Sequence, residues 1–195
     1  MLLNRVTGEG TFKYNSDCSR HNQQNRCDRG KENMRLPVEY VVPKYQTNLY
    51  QAAFAILQDV ADAQDAVQMV FIKYHRLNLD YENEDHIRRW LFRSALNQAK
   101  DIRRSFWRKN RTELTDGVHQ TAALYQDPLD RHLFESVSRL PEKYRVMLQL
   151  FYYEEFSIRE IAEVTALSEA AVKKRLSRGR EMLREMLEKE GSGDV

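Results

Sequence analysis

Cysteine is nearly absent from this chain of 195 residues; the two present, Cys18 and Cys27, lie in a polar amino-terminal stretch. With His21 they offer three metal ligands at irregular spacing, short of the four that a structural zinc site takes. Free thiols in a reducing compartment are the simpler reading, so neither metal nor cofactor is expected. No Glu-x-x-His or His-x-x-x-His pairing is present, so Asp62, Asp65, Asp80 and Glu82 lack the partners that a helical metal-dependent enzyme would give them. No run approaches the ~20 apolar residues needed to span a bilayer, and the amino terminus lacks the apolar core of a secretory signal. A cytoplasmic protein without catalytic activity is expected. No alternating apolar-polar run marks a strand either, and the class is all-α.

The net charge of +2 conceals a strong segregation. From Gln58 to His86 seven acids face only Lys73 and Arg76, whereas from Ile87 to Arg111 nine bases face Asp101 alone. From Ser168 to Arg184 six bases face Glu169 and Glu181. Two separate basic elements suggest two contacts on one polyanion, and the acidic element a surface for something else.

Residues 1–36 are rich in Asn, Gln, Arg, Ser and Gly and read as a disordered extension. Within it, Lys31-Glu32 just before Met34 is compatible with a ribosome-binding sequence, so natural translation is expected to begin at Met34; native peptides from residues 1–33 would refute this. A first module spans 37–109. Leu49, Ala52, Ala53, Ile56 and Leu57 form one stripe, ended by Gln58-Asp59. Ala63, Ala66, Val67, Val70, Phe71 and Tyr74 form the buried side of a second helix from about Ala61 to His75. Residues 76–85 are an acidic loop. A third helix, Glu84 to Lys109, buries Ile87, Leu91, Ala95 and Ile102 and turns strongly basic toward its end. Residues 110–127 read as a flexible linker and 191–195 as a short tail.

The second module spans 128–190. Leu129, Leu133, Val137 and Leu140 mark a helix that stops at Pro141, and Tyr144, Met147, Leu148, Phe151 and Tyr152 supply the inner face of the next. Ser157 with Glu160 forms a capping box for a short helix, Thr165-Ala166-Leu167 make a turn, and Ser168 caps a final helix whose Val172, Leu176, Leu183 and Leu187 face inward. Lys173, Lys174, Ser177, Arg178 and Glu181 then share the outer face. This is a helix-turn-helix pattern, and such a face fits a major groove, where Lys and Arg meet guanine edges and phosphates.

Three segments in order carry a family resemblance. DVADAQDAVQMVFIKYHR resembles region 2.1 to 2.2 of bacterial sigma factors of the extracytoplasmic-function group of the sigma-70 family. WLFRSALNQAKDIRRSFWRK resembles regions 2.3 to 2.4, with Trp90, Asn97, Asp101, Arg103 and Arg104 in family positions. LPEKYRVMLQLFYYEEFSIREIAEVTALSEAAVKKRLSRGREML resembles region 4. The resemblance covers about residues 38–188 and implies the partners: core RNA polymerase, through the clamp helices and flap of its large subunits, promoter DNA, and an anti-sigma protein, with the free chain a monomer. It implies polymerase contacts at Asp62, Asp65, Gln68 and Phe71. For the −35 element it implies Lys173, Lys174, Ser177 and Arg178, and for the −10 element Asn97, Lys100, Arg103, Arg104 and Arg108. Near the −10 surface Phe106 and Trp107 are aromatics for stacking or for the core, while Glu82, Glu84 and Asp85 place carboxylates beside the phosphate path. Ala166 stands where the family often has Gly. A stand-alone helix-turn-helix repressor would explain residues 129–188 but leave the acidic and basic helices before them without a role.

Overall fold

The computed structural model describes residues 34–77, 79–109 and 128–191. The extension with Cys18, Cys27 and His21, the linker 110–127, nearly all of the tail, and the side chains of Phe106, Trp107, Arg108 and Leu129 lie outside the described residues.

The first module is three helices: α1 (Val38–Leu57), α2 (Val60–Arg76) and α3 (Glu84–Lys109). Gln58 ends α1 in the left-handed region (φ 55°), and its N–H returns to the Phe54 carbonyl at 2.9 Å. Asp59 then caps α2, its carboxylate accepting the Asp62 N–H at 2.8 Å and satisfying one of the four free donors at that end. Leu49, Ala52, Ala53, Ile56 and Leu57 of α1, Ala63, Ala66, Val67, Val70 and Tyr74 of α2, and Ile87, Leu91 and Ala95 of α3 are buried together, as their spacing predicts.

The second module contains α4 (Pro128–Arg139), α5 (Glu142–Leu148), α6 (Ile158–Thr165) and α7 (Glu169–Gly191). The helix begun by α5 widens into a π-helical turn at Gln149–Tyr153. Its wider winding breaks the 3.6-residue register, so Tyr152 and Tyr153 emerge more than half exposed. Tyr152 therefore does not belong to the inner face that the periodicity predicts; Leu150 and Phe156 fill that position.

Several buried residues lie off the predicted stripes. Phe54 and Ala55 of α1 and Phe92, Leu96 and Ala99 of α3 are as buried as the residues facing their own module's core. The two phenylalanines find partners in the second module: the Phe54 ring stacks on Phe134 with centroids 6.2 Å apart, and Phe92 meets Phe156 edge-on at 4.9 Å. The described helices thus pack as one unit, α1 against α5 and α3 against α6. A helix apolar nearly all round is one that is covered all round.

The helix-turn-helix forms as its sequence requires. The Glu160 N–H reaches Ser157 Oγ at 3.3 Å, Glu160 accepts the Ser157 N–H at 2.9 Å, and Ser168 Oγ accepts the Ala171 N–H at 3.2 Å. Ala166 sits in the left-handed region (φ 55°, ψ 43°). A Cβ there costs about 1 kcal/mol relative to glycine, so Ala166→Gly is expected to raise the unfolding free energy by about that amount. A urea titration showing no gain would contradict it. Close approach of α7 to α5 depends on Gly179, where an added Cβ would lie 3.3 Å from Tyr144 Cβ.

Candidate nucleic-acid and polymerase interfaces

Lys173, Lys174, Ser177 and Arg178 are all exposed on the outer side of α7, opposite buried Val172 and Leu176. Arg178 donates to Glu181 at 2.5 Å, which steers the guanidinium along this face. Lys143 and Tyr144 from the start of α5 line the same depression as Lys174 and Ser177. Sequence spacing along one helix could not find them, because α5 reaches this surface through its packing on α7, which includes the close approach at Gly179.

The basic half of α3 divides differently. Asn97 and Arg104 are exposed, the latter paired with Asp101. Lys100 and Arg103 are half-buried toward the second module, where Arg103 pairs with Glu142. Burial first, and then the neighbouring cations Arg103, Arg175 and Arg104, pull the Lys100 pKa down. Arg175 comes from α7, so the basic elements of the two modules converge here. Arg108 continues α3 in the helical backbone.

Along α2, Asp65 and Gln68 are exposed and Asp62 is half-buried, its carboxyl pKa raised by burial and then by Asp59 and Asp65. Phe71 packs against the core. The exposed apolar residues of this helix are instead Met69 (50%) and Ile72 (42%), at helical spacing from Asp65 and Gln68. Their signal was legible: two large apolar residues outside a complete buried stripe.

Between α2 and α3, Leu77 and Leu79 stand exposed while Tyr81 is buried among Tyr74, Trp90 and His86, with ring centroids 5.5 to 6.0 Å from its own. Its hydroxyl has no hydrogen-bond partner among the described residues, and burial pushes its pKa up to about 12. Glu84, which would oppose phosphate, is neutralised: Lys44 Nζ lies 2.5 Å from its carboxylate and Tyr45 donates to it at 2.9 Å.

Polar contacts also join the modules. Arg145, 7% exposed, donates to the carbonyls of Ala55 (2.6 Å), Ser138 (2.7 Å) and Leu140 (2.7 Å). These acceptors lie at the carboxy-terminal ends of α1 and α4, where the helix dipoles present negative charge. Burial, and secondarily Arg103, pull the Arg145 pKa down to about 10, which leaves it charged at neutral pH. Buried Glu154 accepts from Asn48 at 2.8 Å, and Arg89 reaches Glu163 at 3.3 Å.

This sequence of elements matches two parts of one family. Sigma-70 region 2 matches residues 41–112, which take in most of α1 and all of α2 and α3, and Sigma-70 region 4 matches residues 133–183, from α4 into α7. The chain belongs to the sigma-70 family, in its extracytoplasmic-function group. It is 29% identical to the ECF RNA polymerase sigma factor SigW of Bacillus subtilis over 75% of this chain and 87% of that protein. It is 26% identical to the RNA polymerase sigma-H factor of Pseudomonas aeruginosa, over 77% and 86% of the two. Among solved structures, CnrH in complex with the cytosolic domain of CnrY aligns with a TM-score of 0.57 at 26% identity, covering 77% of this chain and 87% of that one. As a sigma factor the chain binds core RNA polymerase and promoter DNA and directs transcription initiation, region 4 carrying the helix-turn-helix. No described helix is long and apolar enough to cross a membrane.

Proposed function

We propose that each module of this sigma factor presents one promoter-reading surface, and that the outer side of α2 presents the polymerase-docking one. The −35 surface is Lys173, Lys174, Ser177 and Arg178, with Lys143 and Tyr144 beside them. The −10 surface is Asn97, Lys100, Arg103, Arg104 and Arg108, with exposed Leu77 and Leu79 as apolar surface for an unstacked base. Asp62, Asp65 and Gln68 dock on polymerase together with Met69 and Ile72, while Phe71 shapes that face from beneath. The chain works in the cytoplasm, catalyses nothing itself, and is held by an anti-sigma protein; the CnrH complex is the observation that supports the last partner. A stress or envelope regulon fits the group.

The observation that carries this reading is the pair of basic faces, one on α3 and one on α7, in a chain whose two modules match regions 2 and 4 in order. Elements about 25 base pairs apart are separated by about 85 Å at 3.4 Å per base pair. A packed unit of about 160 residues is on the order of 40 Å across. Promoter engagement therefore requires α1–α3 and α4–α7 to part, and an 18-residue linker at 110–127 can span up to about 60 Å when extended. Run-off transcription with purified core polymerase and fragmented genomic template tests the function. Discrete transcripts dependent on this chain are expected; DNA binding without core and no new transcripts would favour the repressor.

A further inference from the structure

The segment before α1 makes contacts out of proportion to the surface it buries. Met34 pairs with Tyr81 as an antiparallel bridge, its N–H donating to the Tyr81 carbonyl at 2.7 Å and its carbonyl accepting the Tyr81 N–H at 3.1 Å. Arg35 donates to the His75 carbonyl at 2.9 Å, and the Leu36 carbonyl accepts the Tyr74 hydroxyl at 2.7 Å. Three successive residues thus tie the end of α2 to the turn that leads into α3. Met34 is 40% exposed, so it is not held there by apolar burial; Leu36 is the residue of the segment that packs against the core. What Met34 contributes is backbone pairing to the residue whose ring anchors the turn in the Tyr74–Trp90–His86 cluster. Within the turn and the start of α3, the His86 N–H donates to Asn83 Oδ1 at 2.8 Å.

We infer that Met34–Leu36 is a positioning strap for the Leu79–Asn83 turn, fixing the turn's backbone so that its exposed tip meets an unstacked promoter base. This rests on the −10 surface proposed above. Capturing a flipped base costs the free energy of unstacking, and a turn free to move would add its own ordering entropy to that cost. The strap removes that cost before DNA arrives, so its effect falls on promoter opening rather than on polymerase binding or −35 recognition.

The test uses the 195-residue chain begun at Met1, so that residue 34 can be changed whichever methionine natural translation starts from. It is combined with core polymerase on a cognate promoter, reading permanganate reactivity of unpaired thymines for opening and titration for core affinity. Met34→Pro removes the donor to Tyr81, whereas Met34→Leu keeps it. Tyr74→Phe removes only the hydroxyl that Leu36 accepts and serves as a second variant should the proline disturb folding. Loss of one such bond is expected to lower the opened fraction about ten-fold for Met34→Pro and Tyr74→Phe, with Met34→Leu at parental level and core affinity unchanged. Leu79→Asp, which changes the turn's tip and leaves the strap intact, separates the two ideas. If Leu79→Asp fails to open promoters while Met34→Pro and Tyr74→Phe open normally, the strap has no positioning role and the −10 surface stands. If all open normally, the −10 surface falls and the strap's role with it.

Discussion

Replacing Arg145 by leucine is expected to lower the unfolding free energy by about 3 kcal/mol, the largest effect of any single substitution considered. The guanidinium holds three carbonyls at 2.6 to 2.7 Å from a buried position. Ser138 keeps the Gln58 side-chain amide (2.6 Å) when it is gone, so the carbonyls of Ala55 and Leu140 are the ones that lose their donor. Each orphaned carbonyl costs about 1 to 3 kcal/mol, and relief of the charge's own desolvation offsets only part of the sum. Lysine keeps the charge but not the planar fork, so Arg145→Lys should recover less than half of the loss. One acceptor, Ala55, lies in α1, and the rest lie with Arg145 in the second module, so the leucine variant should also loosen the packing between modules. Urea titration checks the magnitude; a change under about 1 kcal/mol would show that solvent or neighbouring donors satisfy these carbonyls after all.

The second large effect concerns α7. Lys174→Ala and Arg178→Ala together should reduce transcription from a −35-dependent promoter about 100-fold, since each good base or phosphate contact is worth about 1 to 3 kcal/mol. The singles should differ in kind. Removing a contact to a base edge relaxes discrimination at one position of the −35 element, while removing a phosphate contact weakens every sequence alike. Neither side chain supports the core, and the Arg178–Glu181 pair is exposed on both sides, so its loss should leave folding unchanged. Run-off transcription on promoters substituted through the −35 element reads both outcomes. A double variant that still responds to the −35 sequence as the parent does would remove α7 from promoter reading.

The architecture was legible wherever one physical rule acted alone. The capping box at Ser157, the cap at Ser168 and the boundaries of α3 followed from local chemistry, and the stripes of α1 and α2 from the 3.6-residue period. Tyr152 was misplaced because a π turn changes the period itself, with no residue in QLFYY to announce it. Phe54 and Phe92 lie off the predicted stripes because their partners, Phe134 and Phe156, lie far along the chain, and helical periodicity carries no information about a second packing face. At the candidate surfaces, the exposed cations of α7 were evident from spacing. The burial of Lys100 and Arg103 was not, since their surroundings are supplied by α5 and α7.

The pairing of Arg103 with Glu142 bears on how promoter binding responds to salt. A cation that meets DNA from free solution displaces condensed counterions from the duplex, and affinity then falls with salt by about 0.9 logarithmic units per decade for each phosphate neutralised. Arg103 does not begin free. On the −10 surface proposed above it would take up a phosphate only by releasing a carboxylate of its own chain, and Glu142, left bare, would collect cations from the solvent in its place. The ions released by the DNA and those gathered by Glu142 would largely cancel, so on that surface this arginine would add to affinity while adding little to the salt slope. A count of phosphate contacts made from the slope alone would come out smaller than the number of cations on the DNA, and the shortfall would measure how many of them were already spoken for.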